Sequence, residues 1–256
     1  WGIWFSLTDG TIDNRFIGFD NYLRVWKNEI FQLGLKNTLE LSLLCTPAIF
    51  VISFFLATLL RQKTACDGFV RNALLMPYLM PSSALLIIWL LMFDYGGVVN
   101  RAMVALGLER VFWLEGGALR TPIVLLYIWK NVGFSVVIFT AALQAVPQAL
   151  YEYASLEGAG YFKRELYITL PQILPTAFLV LVLAMVNAFK IFKEVYFIGG
   201  AYPDESVYTL QHYMNNKFAK LDYQDVTTAA YSFAVIVILL FLLMYRTKAI
   251  RQGETA

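Results

Sequence analysis

Val146 to Pro175, VPQALYEYASLEGAGYFKRELYITLPQILP, is too polar to lie in lipid and too well patterned to be a simple turn. Gln148 to Glu157 is rich in helix formers. Gly158-Ala-Gly160 then breaks the run, because glycine accepts the left-handed backbone that ends a helix without a Cβ clash. A second helical stretch, Tyr161 to Leu170, leads to Pro171 at the start of a long apolar block. The expectation is a short helix, a sharp bend and another helix. Ala154, Ser155, Gly158, Ala159 and Gly160 give the bend small side chains, so another protein's surface can approach its backbone closely. Chain reversal alone needs only a few residues. A segment this long, set between two apolar blocks, reads as a docking element.

Outward from it, hydrophobic residues fill 59% of 256 positions and charged ones 15%. Soluble domains run nearer half apolar and a quarter charged. The excess falls in blocks separated by charged loops, as helices crossing a hydrocarbon layer of about 30 Å require. Five full spans are expected at Asn37–Leu60, Phe69–Phe93, Thr121–Leu143, Gln172–Phe192 and Thr227–Tyr245. Each must be helical, since a span in lipid has to satisfy its own backbone hydrogen bonds. The fold class is therefore all-α, a polytopic transmembrane bundle, treated as one domain over 1–256 with the loop 146–171 inside it. Trp1 to Leu7 is too short to span; it reads as the end of a helix whose start is missing, or as an interfacial aromatic anchor. Pro47, Pro77 and Pro81 fall in or near span ends, where they kink helices.

Arg61, Lys63 and Arg71 crowd the loop after the first span, Lys163 and Arg164 the loop after the third, and Arg246, Lys248 and Arg251 follow the fifth. The alternate loops are longer and mix in acids such as Asp9, Asp13, Asp20, Asp204 and Asp222. Dense basic loops face the cytoplasm, which puts the C-terminus and residues 145–170 inside and residues 8–36 outside. A net charge of +2 gives no reason to expect nucleic acid. Cys45 and Cys66 make no metal or redox spacing.

Within the opening segment, Glu152, Ala154, Gly158, Ile168, Leu170 and Pro171 stand at the spacing of a known motif. They resemble the EAA loop of binding-protein-dependent ABC importer permeases: Glu, any, Ala, three residues, Gly, nine residues, Ile, any, Leu, Pro. Tyr153 replaces the usual second alanine, and Glu157 the common aspartate. Further likeness, over nearly the whole chain, is to the carbohydrate branch that takes up maltose, lactose and glycerol phosphate. It rests on Phe19-Asp-Asn-Tyr22, Asn37-Thr-Leu39, Tyr95-Gly-Gly-Val-Val-Asn100, Ile128-Trp-Lys130 with Gly133-Phe134, Leu143-Gln-Ala-Val-Pro147, and Gly199-Gly200 with Tyr202-Pro203. The resemblance implies a six-span core with its first span truncated here. It also implies a second permease subunit, two ATP-hydrolysing subunits that hold ATP and Mg, an extracytoplasmic solute-binding protein and the bacterial inner membrane. No cofactor is expected on this chain, which has no Gly-Lys pair for a phosphate loop. Glu152, Ala154, Ser155, Glu157, Gly158, Ala159 and Gly160 would dock on the ATPase subunit.

Path residues follow from charge in apolar surroundings. Lys130 and Asn131 lie inside a span, where a central lysine costs about 2.5 to 3.5 kcal/mol on insertion scales. Such residues face the bundle interior or water, or pair with a carbonyl. Asn187, Phe189, Lys190 and Lys193 sit among further aromatics, which suit the apolar faces and hydroxyl edges of a sugar ring. The lysines raise an anionic sugar, such as a uronate. An interfacial belt explains Tyr196 and Phe197 equally well. The stretch Glu194 to Val226 is read as an outer loop that meets the binding protein, with His212 solvated on it.

Two other readings stay in play. An organophosphate permease of the same class, for glycerol phosphate, would carry the same loop. An ion-coupled secondary transporter would work without partner chains and often use an intramembrane carboxylate; beyond Glu40, near an end, the expected spans hold almost none. An enzyme finds no support in any His/Asp/Glu cluster or nucleophile motif.

Overall fold

A computed structural model describes residues 1–11, 15–61 and 67–253. Asp13, Lys63 and Cys66, named above, lie outside them, as do the side chains of Lys248 and Arg251. The first helices are α1 (Gly2–Ser6), α2 (Asp20–Trp26), α3 (Glu29–Leu59) and α4 (Asp67–Leu79). Next come α5 (Ser82–Phe93), α6 (Val98–Ala105), α7 (Arg120–Ala145) and α8 (Gln148–Leu156). Helix α9 (Tyr161–Arg164) passes through a π-turn, Glu165–Thr169, into α10 (Leu170–Ala188), followed by α11 (Phe192–Gly199), α12 (Leu210–Ala219) and α13 (Tyr223–Gly253). The described residues form no strand, only a bridge between Thr8 and Phe16.

Five helical stretches are long and apolar enough to cross a membrane: Glu29–Leu59, Ser82–Ala105, Gly116–Ala145, Tyr161–Gly199 and Tyr223–Leu243. Their burial pattern suits lipid. Leu43, Val51, Phe55 and Leu59 on α3, Ile87 and Leu91 on α5, and Ile238 and Leu242 on α13 are all more than half exposed. Bands of this kind are not tolerated in water. Several span bounds differ from those expected. Helix α3 begins at Glu29, eight residues before Asn37, because Asn28 caps it by accepting from the Ile30 and Phe31 N–H groups at 3.0 and 3.1 Å. Phe69–Phe93 is not one helix: Pro81 adopts φ −56°, ψ 131° and separates α4 from α5. Proline disfavours helical backbone at the residue before it, and here the apolar run is interrupted. Pro47 and Pro77, in contrast, lie within helices. The fourth apolar helix ends at Ala188, not Phe192.

The chain forms two compact units, residues 1–39 with 199–256, and residues 40–198. In the first, Val25, Phe31, Leu35, Leu210, Tyr213 and Ala229 make the core. Buried amides stitch its loops. Asn21 donates to the Ser6 and Thr8 carbonyls at 3.0 and 2.8 Å, and Asn37 to those of Glu205 and Tyr208 at 2.6 and 2.9 Å. Asp225 receives Arg24 and Lys217, each at 2.6 Å. His212, expected to be solvated, is fully buried instead. The reason is local: it closes a capping box at the start of α12, its Nδ1 accepting from the Thr209 N–H at 3.2 Å.

In the second unit α7 is central, packed by α4 and α10. Phe139 is fully buried and meets Phe50 and Phe54 edge to face, with centroids 5.3 and 5.6 Å apart. Gly133 lets α4 approach α7 closely. A Cβ added there would run into the Leu74 carbonyl.

Candidate functional site

Two places in the second unit gather the residues singled out above. The first is the helix–bend–helix. Helix α8 ends as a Schellman motif: the Ala159 N–H reaches the Ala154 carbonyl at 2.9 Å, and the Gly158 N–H reaches that of Ser155 at 3.1 Å. Gly158 takes φ +76°, the left-handed conformation that this closure demands, and no atom lies within 4 Å of where its Cβ would stand. Gly160 then starts α9 in extended conformation. Glu152, Ser155, Glu157, Gly158 and Gly160 are exposed, and Ala154 and Ala159 half-buried. The Ser155 hydroxyl turns back onto the Tyr151 and Glu152 carbonyls at 2.9 and 2.8 Å. Beside this small-residue bend, Leu156 and Phe162 are each 86% exposed and Tyr153 70%. Apolar side chains presented this openly call for a cover.

The bend stands on a fixed base. The Tyr151 hydroxyl and that of Thr169 are 2.7 Å apart and buried. The Arg61 guanidinium lies 3.9 Å over the Tyr151 ring and 3.1 Å from Glu165. The π-turn falls just before Pro171, which has no N–H to donate; such turns are frequent at functional sites. Neither Tyr151 nor Arg61 was marked as part of the site by the sequence reading. A helical face shared with Ala154 and Ser155 was the available signal for Tyr151.

The second place is an open pocket of about 320 Å³ lined by Tyr78, Ser82, Tyr127, Lys130, Asn131, Asn187, Lys190, Lys193 and Glu194. Five of the six expected path residues are here; Phe189 is half-buried in the turn after α10 and does not line it. Helix α7 contributes Tyr127, Lys130 and Asn131, the end of α10 Asn187, the following turn Lys190, and the first turn of α11 Lys193 and Glu194. Lys130 Nζ donates to Glu194 and to the Ser82 hydroxyl, both at 2.7 Å. Glu194 is only 3% exposed, so the stretch read as an outer loop begins inside the protein. The break at Phe189 to Ile191 is what turns this carboxylate toward α7; composition alone placed it beyond the span. Tyr78 stacks on Phe134 at 4.8 Å, giving the pocket a braced aromatic wall. Among the described residues no group of His, Cys, Asp and Glu could hold a metal ion.

The chain belongs to the family of inner membrane components of binding-protein-dependent transport systems, whose model matches residues 49–250. It is a multi-pass membrane permease. It is similar to the sulfoquinovosyl glycerol transport system permease protein SmoG of Agrobacterium fabrum, with 31% identity covering 95% of this chain and 80% of that one. The sn-glycerol-3-phosphate transport system permease protein UgpA of Yersinia pestis is 27% identical over 95% of this chain and 85% of its own. A solved bacterial alginate ABC transporter, in complex with an alginate pentasaccharide-bound periplasmic protein, matches 89% of this chain and 81% of its own with TM-score 0.78 and 26% identity.

Proposed function

We propose that this chain is the permease subunit of an ATP-driven importer that moves a sugar or oligosaccharide delivered by an extracytoplasmic binding protein. It would pair with a second permease subunit. ATP and Mg would be held by two further subunits. The observation that carries the reading is the bend at Gly158, closed by its own hydrogen bonds, braced at Tyr151 and open to a partner through Leu156 and Phe162. With the dense basic loops inside, this bend faces the cytoplasm, where an ATPase subunit can seat it, and the C-terminus lies on the same side. Driving a gate from about 1:99 to 99:1 takes roughly 5.5 kcal/mol of differential stabilisation, which a rigid bend can transmit and a floppy loop cannot. The pocket around Lys130 and Asn187 lies on the substrate path, offering Tyr78 to ring faces and amides and ammonium groups to hydroxyls.

Gly158→Trp and Gly158→Asp test the docking role. Either side chain must leave the left-handed backbone or carry strain of about 1–2 kcal/mol, and each puts bulk or charge where the partner must fit. The variants are expected to insert normally, lose uptake and leave ATP hydrolysis no longer tied to substrate. Undiminished uptake refutes the role. The second reading, an organophosphate permease, is favoured by the likeness to the glycerol-phosphate permease. Uptake of glycerol 3-phosphate in place of sugars would select it.

A further inference from the structure

The pocket on the proposed path has an uneven charge. Three lysines and one glutamate line it, an excess of two positive charges. An ammonium carries three donors; Lys130 uses one on Glu194 and one on Ser82, which leaves one on the side chain that lines the pocket. Lys190 and Lys193 are exposed. Lys190 makes a long contact of 3.4 Å with Asn187, and Lys193 forms no ion pair among the described residues. The Tyr127 hydroxyl, on the same wall, is buried and has no hydrogen-bond partner among them. Of the three, only Lys130 lies inside an unbroken spanning helix, where an ionisable side chain is rare and faces the bundle interior or a water-filled cavity. A pocket for neutral sugars needs hydrogen-bonding groups and an aromatic face, which Tyr78, Asn131 and Asn187 already supply. It does not need three ammonium groups.

We propose that this pocket selects saccharides bearing an anionic oxygen group, a carboxylate, sulfonate or phosphate ester, and that Glu194 tunes the selection. Lys190 and Lys193, on the open side, attract the anion. The remaining donor of Lys130 receives it. Glu194 is a positioning residue: it aims the Lys130 ammonium and offsets part of its charge, so the anion is held loosely enough to leave again. This rests on the path assignment above and gives it a substrate class.

The test uses the assembled importer with its partner subunits in lipid nanodiscs. Binding and uptake are compared for matched pairs of neutral disaccharides and their C6-carboxylate, sulfonate and phosphate counterparts, in gluco, galacto and manno series. The wild type is expected to favour acidic members at least tenfold. Lys190→Gln/Lys193→Gln brings the two classes within about twofold. Glu194→Gln leaves Lys130 uncompensated; it tightens acidic sugars about fivefold or more, slows their turnover and raises the acid-to-neutral ratio above that of the wild type. Glu194→Asp restores wild-type values. Should Glu194→Gln fold poorly, Lys130→Gln/Glu194→Gln, which removes both charges, is expected to fold and to lose acid preference. A wild type that takes neutral sugars equally well, or variants that shift both classes alike, overturns the anionic selection while the sugar path stands. Transport of no sugar in either class overturns the path itself and this proposal with it.

Discussion

His212 shows how one buried side chain ties stability to pH. Its Nδ1 accepts from the Thr209 N–H at 3.2 Å and lies 2.7 Å from the Thr209 hydroxyl. Only the neutral ring can accept there. Burial pushes its pKa down to about 4, from an ordinary 6.5. The unfolded chain therefore binds this proton more readily than the folded one. The contribution is fully present above pH 6.5 and is lost as pH falls toward 4, at up to about 1.4 kcal/mol per pH unit. His212→Gln keeps a side chain able to complete the capping box and removes the proton site. Thermal unfolding of the purified protein at pH 7.5 and pH 5 checks this. The wild type should lose more stability on acidification than His212→Gln; equal losses would mean the ring is not excluded from protonation. Nothing in the neighbouring residues signalled the burial of His212, since a lone histidine in a polar stretch looks solvated until Thr209 is seen to cap α12. Glu194 was hidden for a related reason: its burial depends on the turn at Phe189 to Ile191, which breaks an otherwise continuous helical pattern.

At the scale of elements, the close approach of α4 to α7 depends on Gly133. Backbone cannot yield as a side-chain tip can, so a Cβ aimed at the Leu74 carbonyl must push the helices apart. Overpacking costs about 1–3 kcal/mol even against side chains. Gly133→Val is expected to exceed that range and to reduce accumulation of monodisperse protein in detergent. Normal yield and unfolding temperature would contradict the packing described here. The elements were more legible than their ends. Apolar blocks of about 20 residues named the crossing helices directly, because lipid imposes length and helicity together. Interruptions were less legible: Pro47 and Pro77 sit inside helices whereas Pro81 separates two. Proline alone does not decide, since neighbouring packing determines whether the freed carbonyl can be tolerated. The Schellman closure at Gly158 was readable because its glycine has one conformational task.

For the whole molecule, two kinds of exposed apolar surface need different covers. Leu43, Phe55, Leu91 and Ile238 lie on crossing helices and suit lipid. Leu156 and Phe162 lie at a bend flanked by Glu152, Glu157 and Lys163, and suit a protein. The residues expected on a path were legible as a group because lysine and asparagine stand out in apolar spans, and five of the six share one pocket. Their counter-charge was not. The proposed docking seats the bend at Gly158 in a nucleotide-hydrolysing subunit on the cytoplasmic side. Leu156→Cys, placed in the assembled importer and derivatised with a short thiol-reactive photo-cross-linker, is the sharpest test. A cross-link to the ATPase subunit whose yield changes between nucleotide-free and ATP-bound states is the predicted result. Labelling of that cysteine from outside intact cells, with no link to an ATPase in any state, would contradict it.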